Sequence, residues 1–262
     1  MSVSEIPGGQ PPAADTGSEP TMSTGETLTS IFFEPGRVFE SLRVRPRFLV
    51  AGIIATVALM VFTVTFFQRV GFERVMTEAI EASPQAEQMT QEQKDQAIRM
   101  QTNPVVKAIY YASPIVVVAL LIAAGAAIYM LGTMLLAKKI SYKQALAVWT
   151  YSSLPPIVLT MFLNVILLFL KSPDDYDIVH ASKRGLVQAN LGLFVDPTAS
   201  PVLATVLGSF DLFAFYGLFL AALGLRKMVK MPSSTAWTIV LVIWVIGVVF
   251  RASFAGILGT AM

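Results

Sequence analysis

The sequence predicts an all-α, polytopic membrane protein: a bundle of five transmembrane helices with its N-terminus cytoplasmic and its C-terminus outside. Three observations carry that prediction. Apolar residues make up 55% of the 262-residue chain and charged residues 14%, against about 25% charged in an ordinary soluble domain. The mean hydropathy is +0.65. The apolar residues gather into runs long enough to cross a hydrocarbon core of about 30 Å, which needs roughly 20 helical residues. The net charge of +2 and the lack of a basic face argue against a nucleic-acid partner. With no cysteine, disulfides, thiolate metal sites and a cysteine nucleophile are excluded.

The expected spans follow in order. Residues 48–67 are uncharged. Residues 108–137 form a longer uncharged run, apolar from about Pro114. Residues 144–170 are interrupted by Pro155 and Pro156. Residues 202–225 carry one Asp211, and residues 233–262 one Arg251. Each run should be helical, because lipid offers no partner to an unbonded amide. None alternates as a barrel strand would. No signal-peptide apolar region precedes the first span, which is expected to serve as its own uncleaved signal.

Charge sets the orientation. Arg37, Arg43, Arg45 and Arg47 precede the first span, Lys138, Lys139 and Lys143 sit between the second and third, and Arg226, Lys227 and Lys230 between the fourth and fifth. Segments 68–107 and 171–201 are mixed, with five basic and six acidic residues in the former. The positive-inside rule puts the N-terminus and both short basic turns in the cytoplasm.

Outside the spans, residues 1–27 are rich in Gly, Pro, Ser, Thr and Glu and read as a disordered cytoplasmic tail. Residues 28–47 read as an amphipathic interfacial helix. Glu34 caps it, Pro35 opens it, and Val38, Phe39 and Leu42 share one face. It is expected flat on the bilayer surface with Arg37, Arg43, Arg45 and Arg47 at lipid phosphates and Phe39 as an anchor. Residues 48–262 make the five-span domain, with an external helical hairpin over 71–104. Thr90 and Gln93 form a capping box for its second helix. The SPDDYD stretch lacks the EF-hand spacing, and the single His180 cannot build a multi-histidine metal site.

Polar residues at membrane depth are the candidate sites. Asp211 lies about 21 Å along the fourth span from Leu225, and Arg251 about 22 Å along the fifth from Ala236, at 1.5 Å per residue. Matching depth in neighbouring antiparallel helices predicts an ion pair. In the third span Tyr151, Ser152, Pro155 and Pro156 predict a kink, with Ser152 or Ser153 serving the freed carbonyls. Such kinks also build transporter binding sites. Small residues in the second, fourth and fifth spans read as packing faces.

The stretch IFFEPGRVFESLRVRPRF, with Glu34–Pro35, Phe39 and Pro46, resembles the opening of a Yip-domain protein. The turn into the third span, with Gly132, Gln144–Ala145 and Val148–Pro155 (VWTYSSLP), is similar to that family's Tyr-Ser-x-x-Pro stretch. The resemblance covers residues 30 to 260. It implies a five-span protein without catalytic activity, in a family whose eukaryotic members are associated with Rab-type GTPases and vesicle traffic. The eukaryotic Asp-Leu-Tyr-Gly-Pro signature is absent, so the chain resembles a bacterial or archaeal member, placed in the plasma or inner membrane. The functional expectation is a non-enzymatic scaffold or adaptor in membrane organisation. A small-molecule or ion transporter using the third span is the alternative. HExxH, paired intramembrane aspartates and GxSxG are all missing, which argues against an enzyme. Expected partners are the lipid bilayer, a cytoplasmic protein and a second copy of the chain. No cofactor is expected.

Overall fold

The computed structural model describes residues 22–83, 85–136 and 139–261. The tail over residues 1–21 and Lys138 lie outside the described residues.

Eleven α-helices are present among the described residues. Two short ones come first, α1 (Thr24–Ser30) and α2 (Pro35–Val44), followed by the first span, α3 (Leu49–Val70). Next come α4 (Phe72–Glu81), α5 (Gln91–Gln101), the second span α6 (Pro104–Leu136) and the third, α7 (Tyr142–Leu170). The chain closes with α8 (Ile178–Arg184), α9 (Pro201–Gly208), α10 (Leu212–Val229) and α11 (Ser233–Leu258). Five of them, α3, α6, α7, α10 and α11, are long and apolar enough to cross a membrane. Their outer faces carry Ile53, Val57, Leu120, Leu121, Val249 and Phe250, all exposed. In water such a surface would drive association. In a bilayer it faces its proper solvent.

Helix α7 is the centre of the bundle and packs against α3, α6 and α10. Ala145 to Val148, Thr150 to Ser152, Leu154 and Pro155 are therefore all buried, on every side of the helix. A helix covered all round has to be apolar all round. Two hydrophobic cores result. One, at the end with the basic turns, joins α1, α2 and the adjoining halves of α3, α6, α7, α10 and α11. The other, at the opposite end, joins Phe62, Phe66, Phe67 and Val70 of α3, Phe72, Val75 and Met76 of α4, and Leu168, Ile178 and Ala181.

Local sequence explains the helix starts. Ser23 with Glu26, Thr90 with Gln93 and Ser141 with Gln144 each close a capping box. Asn103 Oδ1 accepts from the amides of Val105 and Val106, which opens α6. At 33 residues, α6 spans about 50 Å at 1.5 Å per residue, longer than a bilayer core. Its extra length lies before Pro114.

Three sequence expectations are corrected. First, the boundary placed at residue 27 falls inside α1, whose cap is Ser23. Met22 and Thr27 are buried, and Met22 N donates to Ser41 Oγ at 3.0 Å. Second, the apolar face of α2 packs on protein. Val38, Phe39 and Leu42 are wholly buried against the bundle, and α2 packs on α10 and α7. Amphipathicity identified the buried face but could not say whether lipid or protein covers it. Glu34 occupies the N-cap position without capping; its carboxylate pairs with Arg37.

Third, the fourth span is broken. α9 ends at Gly208 and α10 begins at Leu212. Asp211 is the N-cap between them: its Oδ1 accepts from Phe213 N and Ala214 N, each at 2.9 Å. The backbone there pairs with the segment before it, Leu212 N donating to Ala189 O at 3.0 Å. An aspartate that caps is worth about 1 kcal/mol to a helix start.

Candidate functional site

The region with the most sequence-predicted residues is the basic end of α7. There the buried face of α1 meets the Tyr-Ser-x-x-Pro stretch. Tyr151 is buried, and its hydroxyl lies 3.2 Å from Thr27 Oγ1, which is buried too. Thr27 Oγ1 already donates its one hydrogen to Thr24 O, at 2.7 Å. Tyr151 must therefore be the donor and Thr27 the acceptor. Arg47 holds the same segment from the other side, with Nη1 donating to Thr24 Oγ1 (3.0 Å) and Nη2 to Met22 O (2.5 Å).

Beside this contact Phe39 inserts between α7 and α10. A Cβ on Gly224 would lie 2.9 Å from the Phe39 ring and 3.1 Å from Val148. Only glycine leaves room for the ring. The same device operates between α6 and α7, where a Cβ on Gly125 would lie 2.1 Å from Trp149. Trp149 in turn packs its ring 5.0 Å from that of Tyr129. Small residues thus act as packing faces.

The outer surface of α1 and α2 is polar. Arg37 pairs with Glu34, Glu40 with Lys227 in the last turn of α10, and Gln144 Nε2 donates to Arg43 O. Arg45 is exposed, and Phe33 is 85% exposed. The four arginines expected at lipid phosphates thus divide. The Arg37 and Arg47 side chains bind protein groups, the Arg43 carbonyl accepts from Gln144, and the Arg45 side chain is exposed while its backbone N–H donates to Ser41 O.

Helix α7 runs unbroken through Pro155 and Pro156. The prolines remove the donors that would bond the carbonyls of Tyr151 and Ser152. Ser152 does not serve them, since its Oγ donates to Trp149 O at 3.0 Å. The Ser152 carbonyl instead faces Gly217 of α10, where an added Cβ would lie 3.6 Å away. Between these helices is a cavity of about 370 Å³, with Trp149, Ser152, Ser153, Pro156, Thr160 and Gly217 in its wall. Its lining includes hydroxyl-bearing residues, and among the described residues no charged side chain lines it.

Asp211 and Arg251 form no ion pair. Asp211 is spent on its cap, and Arg251 Nε points back to Gly247 O at 3.4 Å on an exposed face of α11. Rise along a helix does not fix which way a side chain faces around it, and the Asp211 carboxylate turns to the amides of its own helix start. The three SPDDYD carboxylates are also separately engaged. Asp174 pairs with Arg74 (2.8 Å), Asp175 accepts from Ser172 N (3.1 Å) and Asp177 from His180 N (2.8 Å). Among the described residues no three metal-ligating side chains gather.

Sequence reasoning missed Thr27, although the Ser-x-x-Glu box at Ser23–Glu26 was a readable helix start just ahead of it. It also undervalued Asn164, whose buried Oδ1 accepts from Leu186 N (2.5 Å) and Val187 N (2.9 Å) and ties α7 to the following segment.

No curated protein matches the chain. No solved structure matches it either. A family model, that of the Yip1 domain, matches residues 29–254. That range runs from the α1–α2 platform to the last turns of α11 and takes in Phe39, the Tyr-Ser-x-x-Pro stretch and every span. The chain is a multi-pass membrane protein with its apolar faces in contact with lipid, and it belongs to the Yip1 domain family.

Proposed function

We propose that the protein is a non-enzymatic membrane scaffold or adaptor of a bacterial or archaeal plasma membrane, and that it docks a cytoplasmic protein on the platform made by α1 and α2. The observation that carries this reading is the way the platform is built. Its inner face is bonded to the core through Thr27–Tyr151, Phe39 and Arg47, while its outer face presents Arg37, Glu40, Arg45 and Phe33. A surface held rigid at the cost of burying two short helices costs a partner little ordering entropy on binding. Short basic turns beside it support a cytoplasmic placement. Self-association of the chain belongs to the same proposal.

A transporter is the second reading, favoured by the cavity of about 370 Å³ beside Pro156. Among the described residues no charged side chain lines it, and since ionisable residues at membrane depth are a common mark of ion and proton pathways, that favours the scaffold. In-cell photocrosslinking decides between them. A crosslinking amino acid at Phe33 or Arg37 should yield one discrete protein adduct, and at Gln88 in the α4–α5 hairpin none. Adducts at neither position, together with solute flux in reconstituted vesicles that Ser153→Trp blocks, would replace the scaffold with the transporter.

A further inference from the structure

At the end of the bundle away from the platform, Arg184 closes α8 with no partner for its charge. Its guanidinium is half-buried, Nη2 is cut off from solvent, and no hydrogen bond reaches that nitrogen among the described residues. Among the described residues no carboxylate lies within ion-pair distance of it. A second cation, Arg251, acts on its charge. Burial first and then Arg251 hold Arg184 below the ordinary arginine range. A buried donor without an acceptor calls for an occupant, and the repulsion that Arg251 exerts on Arg184 favours an anionic one.

The space for it exists. Arg184, His180, Gln188, Asn190 and the Gly192 backbone line a pocket of about 170 Å³, room for some five or six waters at about 30 Å³ each. An oxyanion with a little hydration fits that volume. His180 is held below its ordinary range, first by burial and then by Arg184, so near pH 7 its ring is neutral and can still donate one hydrogen bond. Asp177 opposes: its carboxylate lines the same pocket and accepts from His180 N at 2.8 Å. It leaves the Arg184 side as the electropositive part. A second pocket of about 340 Å³ shares Asp177, His180, Gln188 and Leu193 and gives a larger molecule somewhere to extend.

We propose that the Arg184 pocket binds one phosphate-class oxyanion, supplied either as a free anion or as a phospholipid headgroup. Arginine's planar fork suits such a group in a way no lysine does. The exposed Arg251 on the lipid-facing α11 would meet the same phosphate from the membrane side.

The test uses the full chain in a maltoside detergent, which carries no phosphate. Inorganic phosphate is titrated against chloride at equal ionic strength and followed by thermal unfolding. In parallel, phosphatidylglycerol or phosphatidylcholine is added and retained lipid is counted by native mass spectrometry. The expected result is a saturable rise in unfolding midpoint with phosphate, or retention of one phosphatidylglycerol per chain. Arg184→Gln should abolish the response, and Gln188→Ala, at an exposed position, should weaken it about threefold to tenfold through one lost hydrogen bond. A response to phosphate alone assigns a free anion; a response to phosphatidylglycerol alone assigns a headgroup. If neither probe binds the wild type, or if a folded Arg184→Gln responds as the wild type does, the proposal fails. Should Arg184→Gln not fold, an unchanged response in both Arg184→Lys and Gln188→Ala would overturn it equally.

Discussion

Replacing Tyr151 by Phe removes one hydroxyl and nothing else. In the wild type that hydroxyl donates to Thr27 Oγ1 across 3.2 Å, and both side chains are buried. The ring stays, so no cavity opens and the packing term is close to zero. Thr27 keeps its own hydrogen bond to Thr24 O and loses only an incoming donor. A net hydrogen bond of this kind is worth about 0.5–1.5 kcal/mol, so opening of α1 should become about twofold to twelvefold more frequent at 1.4 kcal/mol per decade. The remaining ties, Met22 N to Ser41 Oγ and Arg47 to Met22 O and Thr24 Oγ1, keep the segment docked on average. Hydrogen exchange resolves such a change by segment. Tyr151→Phe should speed exchange of the amides of residues 27–31 by that factor and leave residues 91–101 of α5 unchanged. Thr27→Val should give no further acceleration from this contact in the double variant, because the two changes remove the same bond. Exchange at 27–31 within error of the wild type, or an equal rise in α5, would refute the reasoning.

Four further outcomes follow from the packing. Gly125→Ala drives a methyl into Trp149, at 2.1 Å from its ring, and should lower stability in detergent melts by about 1–3 kcal/mol or more. Asp211→Ala removes the cap of α10 and should cost about 0.5–2 kcal/mol, while adding Arg251→Ala should change stability additively, as expected of residues that do not touch. Asn164→Leu strips the acceptor from two backbone amides and should cost about 1–3 kcal/mol for each left buried and unpaired, read as a lowered unfolding midpoint. Gly185→Ala forces an L side chain to φ +83°, with its Cβ 2.7 Å from Asn164; it should destabilise by at least about 1–2 kcal/mol, measured the same way.

The spans were legible because a bilayer imposes a single demand, length with little charge, that the five long helices meet in plain sequence. The starts of α5 and α7 were equally local, since a Ser or Thr and a Gln three residues apart declare themselves. The break before α10 was hidden for the opposite reason. Its flanks are apolar on both sides, so hydropathy runs straight through, and only Asp211 marks the stop. The platform was half legible. Val38, Phe39 and Leu42 identified a buried face, but its cover is α10 and α7, distant in sequence. The Asp211–Arg251 pair failed at the step from one dimension to three: rise per residue gives height, whereas the partner of a side chain depends on azimuth. Thr27–Tyr151 spans 124 residues, and no local pattern announces a contact of that separation.

The central claim is that the α1–α2 platform faces the cytoplasm as a partner-docking surface. The cysteine-free chain allows a direct measurement. Single cysteines are placed at Phe33 and Arg45 on the platform and at Gln88 and Asp174 at the other end of the bundle, all exposed positions, and labelled with a membrane-impermeant maleimide in intact cells. The account predicts labelling at Gln88 and Asp174 in intact cells, and at Phe33 and Arg45 only after lysis. Labelling of Phe33 and Arg45 in intact cells, with Gln88 and Asp174 protected, would put the platform on the wrong side of the membrane and contradict the claim.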